Sequence, residues 1–407
     1  MTVSGVPVKR IDLGVAGRPK TIGIVGAVLD VFAFLVALPP INARTIYLPI
    51  AIGFLGLFCG VWVLARGHKR LGWCVVGGAF LAIPAGALAT FSSLGHLETV
   101  FAWSALTAAT LRYATPLIFA AIGGLFSERS GVVNIGLEGM MLMGAFFGIW
   151  GADKTGSWEA GLLIAMVAGG VTALLHAFFA ITLRADQIVG GTAINFLAAG
   201  VTGFLFIDIY GSNGTPSDIP GVPDVHLQFL GHIPLVGNFL EGAFGRTNLM
   251  TWLALALVVL SSLFVFRTPL GLRLRSVGEH PRAADTVGIS VYRTRYLAVT
   301  FSGMLAALGG AYLSIGFVHS FNQNMSAGRG FIALAALIFG KWNPYGALGA
   351  ACLFGFSSAL AERLPVYSGS AATLFQALPY VLTLIAVAGV IGRSIPPRAV
   401  GRPYIKQ

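Results

Sequence analysis

Asn134 and Glu138 are the polar residues of this chain whose setting most invites a chemical role. They lie in the run Phe126-Ser127-Glu128-Arg129-Ser130-Gly131-Val132-Val133-Asn134-Ile135-Gly136-Leu137-Glu138-Gly139-Met140-Met141, where a charged turn leads straight into apolar sequence. The pattern predicts a helix bearing both, and i, i+4 spacing puts their side chains on one face. Glu138 would then sit about one turn inside the apolar run, where an ionised carboxylate is costly unless paired or facing water. Two readings stay open and weigh evenly. Glu138 lines a polar pathway, or it is a structural carboxylate that caps a neighbouring helix or pairs with Arg129.

A second cluster, Arg184-Ala185-Asp186-Gln187, is followed by Gly190-Gly191-Thr192 and Asn195. It is a weak echo of the first: charged turn, glycines, then an Asn within a helix. Thr192 and Asn195 join Asn134 and Glu138 as candidate pathway residues. For Asn195 a hydrogen bond to a neighbouring helix, worth about half a kcal/mol, is the simpler reading. The third signal is the basic loop from Arg267 to Arg295. Within it, Gly278-Glu279-His280-Pro281-Arg282-Ala283-Ala284-Asp285-Thr286-Val287-Gly288-Ile289 reads as a short helical peg. Pro281 suits a first helical position, the alanines favour helix, Gly288 suits a left-handed stop, and Ile289 is available to pack back. A capped helix in such a loop suggests that something soluble docks there.

Catalytic constellations are missing. Cys59, Cys74 and Cys352 lie in apolar runs without ligand spacing and read as small core residues, so no metal site is expected. Gly340-Lys341 is followed by Trp342 and lacks the upstream glycine of a phosphate-binding loop. Neither a zinc-protease helix nor a nucleophile elbow occurs. If ATP drives this protein, another chain must hydrolyse it. His176 and Arg112 read as packing or snorkelling residues, and Asp30, inside the first apolar run, has no evident role.

The elements that position these residues are membrane helices. Of 407 residues, 56% are apolar and 10% charged, with 54 glycines. So little charge cannot cover a water-facing surface, whereas lipid accepts an apolar exterior and glycines let helices approach closely. Twelve apolar segments can be read at about 21–39, 46–65, 71–91, 101–126, 133–151, 160–183, 187–211, 249–267, 296–318, 328–340, 344–363 and 372–392. The expected fold is an all-α polytopic membrane protein of about twelve transmembrane or re-entrant helices. The run 328–340 is short and glycine-bounded, which fits a re-entrant or tilted segment. Residues 1–100 form an accessory bundle of about three spans, 101–392 the working core and 393–407 a tail. The net charge of +11 falls mostly in short loops and ends. With both termini cytoplasmic, roughly twenty basic residues lie inside and about five outside, as the positive-inside rule favours. No basic patch is interleaved with aromatics, so the charge does not indicate nucleic acid. The long stretch 212–248 is then external. The first apolar run is too long for a signal peptide and reads as an uncleaved span in the inner (plasma) membrane.

Glu128 to Gly139, with Gly278 to Ala284 and Gly288-Ile289, resembles the permease subunits of ABC importers. The branch is that of ribose-type and branched-chain amino-acid-type permeases, and the first motif is most similar to the simple-sugar and purine-nucleoside members. The resemblance covers about residues 101–392. It implies an importer in which this chain binds no cofactor and a cytoplasmic ATP-binding subunit uses the ATP. It further implies a second permease, the same or paralogous, and an extracytoplasmic substrate-binding lipoprotein. Gly278, Glu279, Pro281, Arg282, Ala283, Ala284 and Gly288 would form the ATPase-coupling loop. Residues 1–100 depart from the compact family pattern. The solute expected is small, neutral and polar, a nucleoside or a simple sugar. The alternative is an ion-coupled secondary transporter, but such proteins generally need intramembrane ionisable groups, and this core offers few beyond Glu138.

Overall fold

The computed structural model describes residues 19–36, 47–91, 103–233, 237–363 and 394–406, and these fall into two compact units that divide between Phe91 and Trp103. The apolar segment 372–392 and the basic residues Lys9, Arg10, Arg18 and Arg393 lie outside the described residues.

The first unit holds α1 (Pro19–Leu35), α2 (Tyr47–Ala65) and α3 (Lys69–Phe91). Gly53, Gly56 and Gly60 turn one stripe of α2 inward, which lets the three helices close on one another. Asp30 is buried there beside Gly56 and Gly78, and its carboxylate has no hydrogen-bond partner among the described residues.

The second unit opens with α4 (Trp103–Arg129), α5 (Leu137–Thr155), α6 (Trp158–Ala177, then a π-turn Phe178–Thr182) and α7 (Gln187–Tyr210). A short antiparallel pair follows, β1 (Asp224–His226) with β2 (Arg246–Asn248), in the register Asp224 to Asn248, with α8 (Gly237–Phe244) between them. Next come α9 (Leu249–Arg267), α10 (Pro269–Glu279), α11 (Pro281–Thr286) and α12 (Val291–Ala311, then a π-turn Tyr312–Val318). The described helices end with α13 (Arg329–Phe339) and α14 (Pro344–Arg363). Local chemistry sets these starts. Asp186 accepts from Ile188 N and Val189 N, Asn248 from Met250 N, Thr268 from Gly271 N and Ser290 from Arg293 N, each supplying an N-cap oxygen.

Seven described helices are long and apolar enough to cross a membrane, α2, α4, α6, α7, α9, α12 and α14, with three shorter apolar ones at Thr21–Ala33, Leu71–Phe80 and Arg329–Phe339. Twelve crossings are expected from sequence; the described residues supply this smaller set. The exterior suits lipid: Phe196, Phe204 and Val189 on α7 are 75%, 69% and 68% exposed. Inside, α6 and α12 meet glycine to glycine. A methyl group on Gly169 would stand 2.5 Å from Gly303 O, and one on Gly303 would stand 2.5 Å from Gly169 O.

One local expectation changes. Asn134 does not share a helix with Glu138, because α5 begins only at Leu137 and residues 132–136 run outside any helix. Gly131, at φ +96°, turns the chain out of α4, and Val132 to Gly136 then carry it into the bundle interior. Glu138 falls in the first turn of α5.

Candidate functional site

A non-helical backbone inside a membrane bundle must find partners there, and residues 132–136 find theirs in side chains. Gln187 Oε1 accepts from Val133 N at 2.7 Å, and His176 Nε2 lies 3.0 Å from Val133 O. Asn195 bridges the end of the segment: its Nδ2 donates to Ile135 O at 3.1 Å and its Oδ1 accepts from Gly139 N at 2.8 Å. Asn134 is fully buried, and its Nδ2 donates to Ser302 Oγ on α12 at 2.9 Å. The second polar cluster of the sequence thus serves the first. Gln187 and Asn195 are the groups that let the motif run unwound. Thr192, by contrast, is exposed on α7 and returns its hydroxyl to Ile188 O of the preceding turn.

Glu138 meets a second break. Between the π-turn that ends α12 and the start of α13 the chain is irregular from His319 to Gly328. Glu138 Oε1 accepts from Gly328 N at 2.7 Å and Oε2 accepts from Gly330 N at 2.6 Å. A carboxylate from α5 therefore occupies the N-terminus of α13, where free amides and the helix dipole both favour negative charge. Gly330 makes the approach possible, since a methyl group there would lie 2.5 Å from Glu138 Cα. With 11 residues, α13 is about 16 Å long, half a bilayer core. Its far end returns to the motif: Trp342 Nε1 donates to Glu128 Oε2 at 2.6 Å, and Arg129 Nη2 donates to Trp342 O at 2.6 Å.

That return costs backbone strain. Lys341 and Trp342 both adopt left-handed conformations, at φ 54° and 51°. Side chains disfavour this region, and two successive non-glycine residues there persist only when surrounding contacts hold them. Lys341 is exposed, so Lys341→Gly should raise the detergent-solubilised protein's stability by about 1 kcal/mol. A thermal melt checks this, and a lower Tm for the variant would contradict it.

Toward the N-terminal end of α4 a polar cavity of about 300 Å³ opens, lined among others by Arg112, Asp224, Arg246, Asn248, Thr251, Tyr312, Phe317 and His319. Its floor is aromatic: Phe317 stacks on Tyr312 at 6.3 Å and carries the Arg112 guanidinium 5.7 Å from its centroid. Asn248 fixes the rim by donating to Val222 O and Gly316 O, and Arg246 pairs with Asp224. Cations, hydroxyls and aromatic side chains line it together, with the ring faces packed on one another and on Arg112. Asn134, Glu138, Thr192 and Asn195 do not line this cavity. Its own residues are scattered over five elements and a loop, which is why no run of sequence announces it.

The basic loop lies at the other end of α4, beside Arg129 and Gly131. Gly278 packs against Arg129 O, a contact that leaves no room for a side chain. Pro281 opens α11; Gly288, at φ +83°, follows its end. Arg282 and Ala283 are exposed, whereas Ala284 is buried against Val277, Val291 and Tyr404. Of the two alanines only Ala283 is open to a partner. Burial, and then the Asp285 carboxylate that it hydrogen-bonds, push the Tyr404 phenol above its ordinary value.

Residues 106–387 match the family described as branched-chain amino acid transport system / permease component, so α1 to α3 precede the match. The chain is 46% identical over 320 residues to the guanosine ABC transporter permease protein NupQ of Bacillus subtilis, spanning 76% of this chain and 99% of that protein. It is 41% identical over 310 residues to the nucleoside ABC transporter permease protein NupC of Lactococcus lactis, spanning 74% and 96%. With the guanosine ABC transporter permease protein NupP of Bacillus subtilis the identity is 25% over 266 residues, 64% of this chain and 74% of that one. No solved structure matches. Proteins of this kind carry out transport and leave ATP hydrolysis to a separate subunit. The match covers most of the bundle that holds the Glu138 cap, and the chain belongs to the branched-chain amino acid transport system permease family.

Proposed function

We propose that this chain forms one side of the translocation pathway of an ABC importer for nucleosides in the inner (plasma) membrane. The observation that carries this reading is 46% identity spread over 99% of a guanosine ABC transporter permease protein. The polar cavity supports it by offering hydrogen-bonding groups to ribose hydroxyls; a simple sugar, which offers the same hydroxyls, is the second choice. The end bearing Arg129, α10, α11 and Arg398 is basic and is assigned to the cytoplasm, which places residues 212–248 outside. On this reading an ATP-binding subunit docks on the loop around Pro281, Arg282 and Ala283 and uses the ATP, while this chain binds no cofactor. A substrate-binding lipoprotein delivers the solute to the outer end. The second permease is assigned as a paralogue, because one bacterium has two guanosine permease proteins that resemble this chain to very different degrees, 46% and 25%.

Two measurements test this. Single cysteines in 66–70, 267–295 and 394–406, on a background without the native three, should resist an impermeant thiol reagent in intact cells, and cysteines in 212–248 should react. Labelling of the 267–295 loop from outside would reverse the orientation. In proteoliposomes, labelled nucleoside should accumulate only when the ATP-binding and lipoprotein partners and ATP are present. Concentrative uptake by the chain alone under an imposed ion gradient would establish the ion-coupled alternative.

A further inference from the structure

Residues Ser394 to Lys406 are not a loose end. Ser394 Oγ donates to Ile338 O at the end of α13, at 2.9 Å. Ala399 N donates to Gly278 O at 2.9 Å, Arg398 N to Glu279 Oε2 at 3.3 Å and Gly401 N to Gly131 O at 3.3 Å. Tyr404 completes a small core with Val277, Ala284 and Val291, and its ring lies edge-on to Tyr292 at 5.5 Å. Arg295 closes the assembly. It is 1% exposed, and instead of pairing with a carboxylate it donates from Nε to Ser130 O at 3.2 Å and from Nη1 to Arg402 O at 3.1 Å. A methyl group on Gly131 would stand 2.8 Å from the Arg295 guanidinium and 3.2 Å from Ala399 O. One buried cation thus ties the motif turn, α12 and the tail together, and the tail in turn grips the residues that open α11.

The clasp also sorts charge. The acids of the loop are turned to the tail: Glu279 receives Arg398 N, and Asp285 bonds Tyr404. No acid of the loop or tail is fully exposed. Arg282, Arg398 and Arg402 are exposed, as are Val287, Ile395 and Ile405 at 73%, 74% and 55%. Exposed apolar side chains and arginines carried on these bonded segments suit a protein partner that offers carboxylates and apolar surface.

We propose that the tail Ser394–Lys406 and α11 form one composite docking face for the ATP-binding subunit, with the tail both holding α11 in place and contributing Ile395, Arg398, Arg402 and Ile405 to the contact. This rests on the importer reading but goes beyond it, since a docking helix alone would need no second segment. The assembled importer, purified through the lipoprotein partner, is the material for the test. Arg398→Glu with Arg402→Glu keeps every backbone bond of the clasp, so a folding role alone predicts no change. Composite docking predicts that ATP-binding subunit recovered per permease falls at least about tenfold, and that the unaltered contact weakens as salt rises. A maleimide cross-linker from a cysteine at position 395 or 405 should capture the ATP-binding subunit, as should one at position 283. Tyr404→Ala, which unseats the tail, should reduce both tail and position-283 cross-links. If position 283 captures the subunit while 395 and 405 do not, and the charge reversal is silent, the composite face is wrong and the importer reading stands. If the charge reversal instead abolishes binding of anionic-lipid vesicles with the subunit fully retained, the tail is a lipid anchor and the proposal falls. If no position captures an ATP-binding subunit even in the unaltered complex, the importer reading itself fails.

Discussion

Glu138→Ala should abolish uptake and destabilise the bundle together. Both carboxylate oxygens are engaged, by Gly328 N and Gly330 N, and Glu138 is 8% exposed, so water cannot fill the place of the lost groups freely. Hydrogen bonds to a charged acceptor contribute about 1.5–3 kcal/mol each, and an orphaned buried amide costs about 1–3 kcal/mol. The loss is therefore on the order of 3–6 kcal/mol at one helix N-terminus. Glu138→Gln keeps the shape but offers one acceptor, and its amide group faces an N–H that it cannot receive. It should fall between wild type and the alanine variant in both uptake and thermal stability. The paired readout separates the roles left open by the sequence. Loss of uptake with loss of Tm identifies a cap, whereas loss of uptake at unchanged Tm identifies a group that the solute meets. Normal uptake by Glu138→Ala would remove the residue from either role.

Asn195→Leu should produce the next largest effect. Its amide group satisfies Ile135 O and Gly139 N at once, at the turn that leads into α5. Leucine is close in volume but leaves both backbone groups buried and unpaired, a cost of about 2–4 kcal/mol. A model in which Asn195 merely joins two helices expects about half a kcal/mol, so the two accounts differ enough to measure. Asn195→Asp discriminates further, because it can still accept from Gly139 N but confronts Ile135 O with a second acceptor. The expected order of Tm and of uptake is wild type, then aspartate, then leucine. Equal stability for wild type and leucine would show that the unwound segment does not depend on this residue.

What the sequence determined by itself is the solvent and the punctuation. Its scarcity of charge requires lipid around the chain, because an apolar exterior such as that of α7 cannot be hydrated. Pro281 and Gly288 place the ends of α11 through backbone preferences that act within a few residues. The glycine and charge pattern from Glu128 to Gly139 likewise marks the family, since it is a local string. Only the tertiary structure decided what that string does. Helical periodicity extended α5 back through Asn134, but Gln187, His176 and Asn195 offer the backbone of residues 132–136 enough partners to stay unwound. Those partners lie 43 to 60 residues away, beyond any local rule. Still longer separations, 107 to 214 residues, hid the Glu138 cap, the Trp342 return and the Arg295 clasp, and the cavity at Phe317 is likewise assembled from distant segments. Each joins groups that only folding brings within about 3 Å to 6 Å, the range over which hydrogen bonds and ring contacts act.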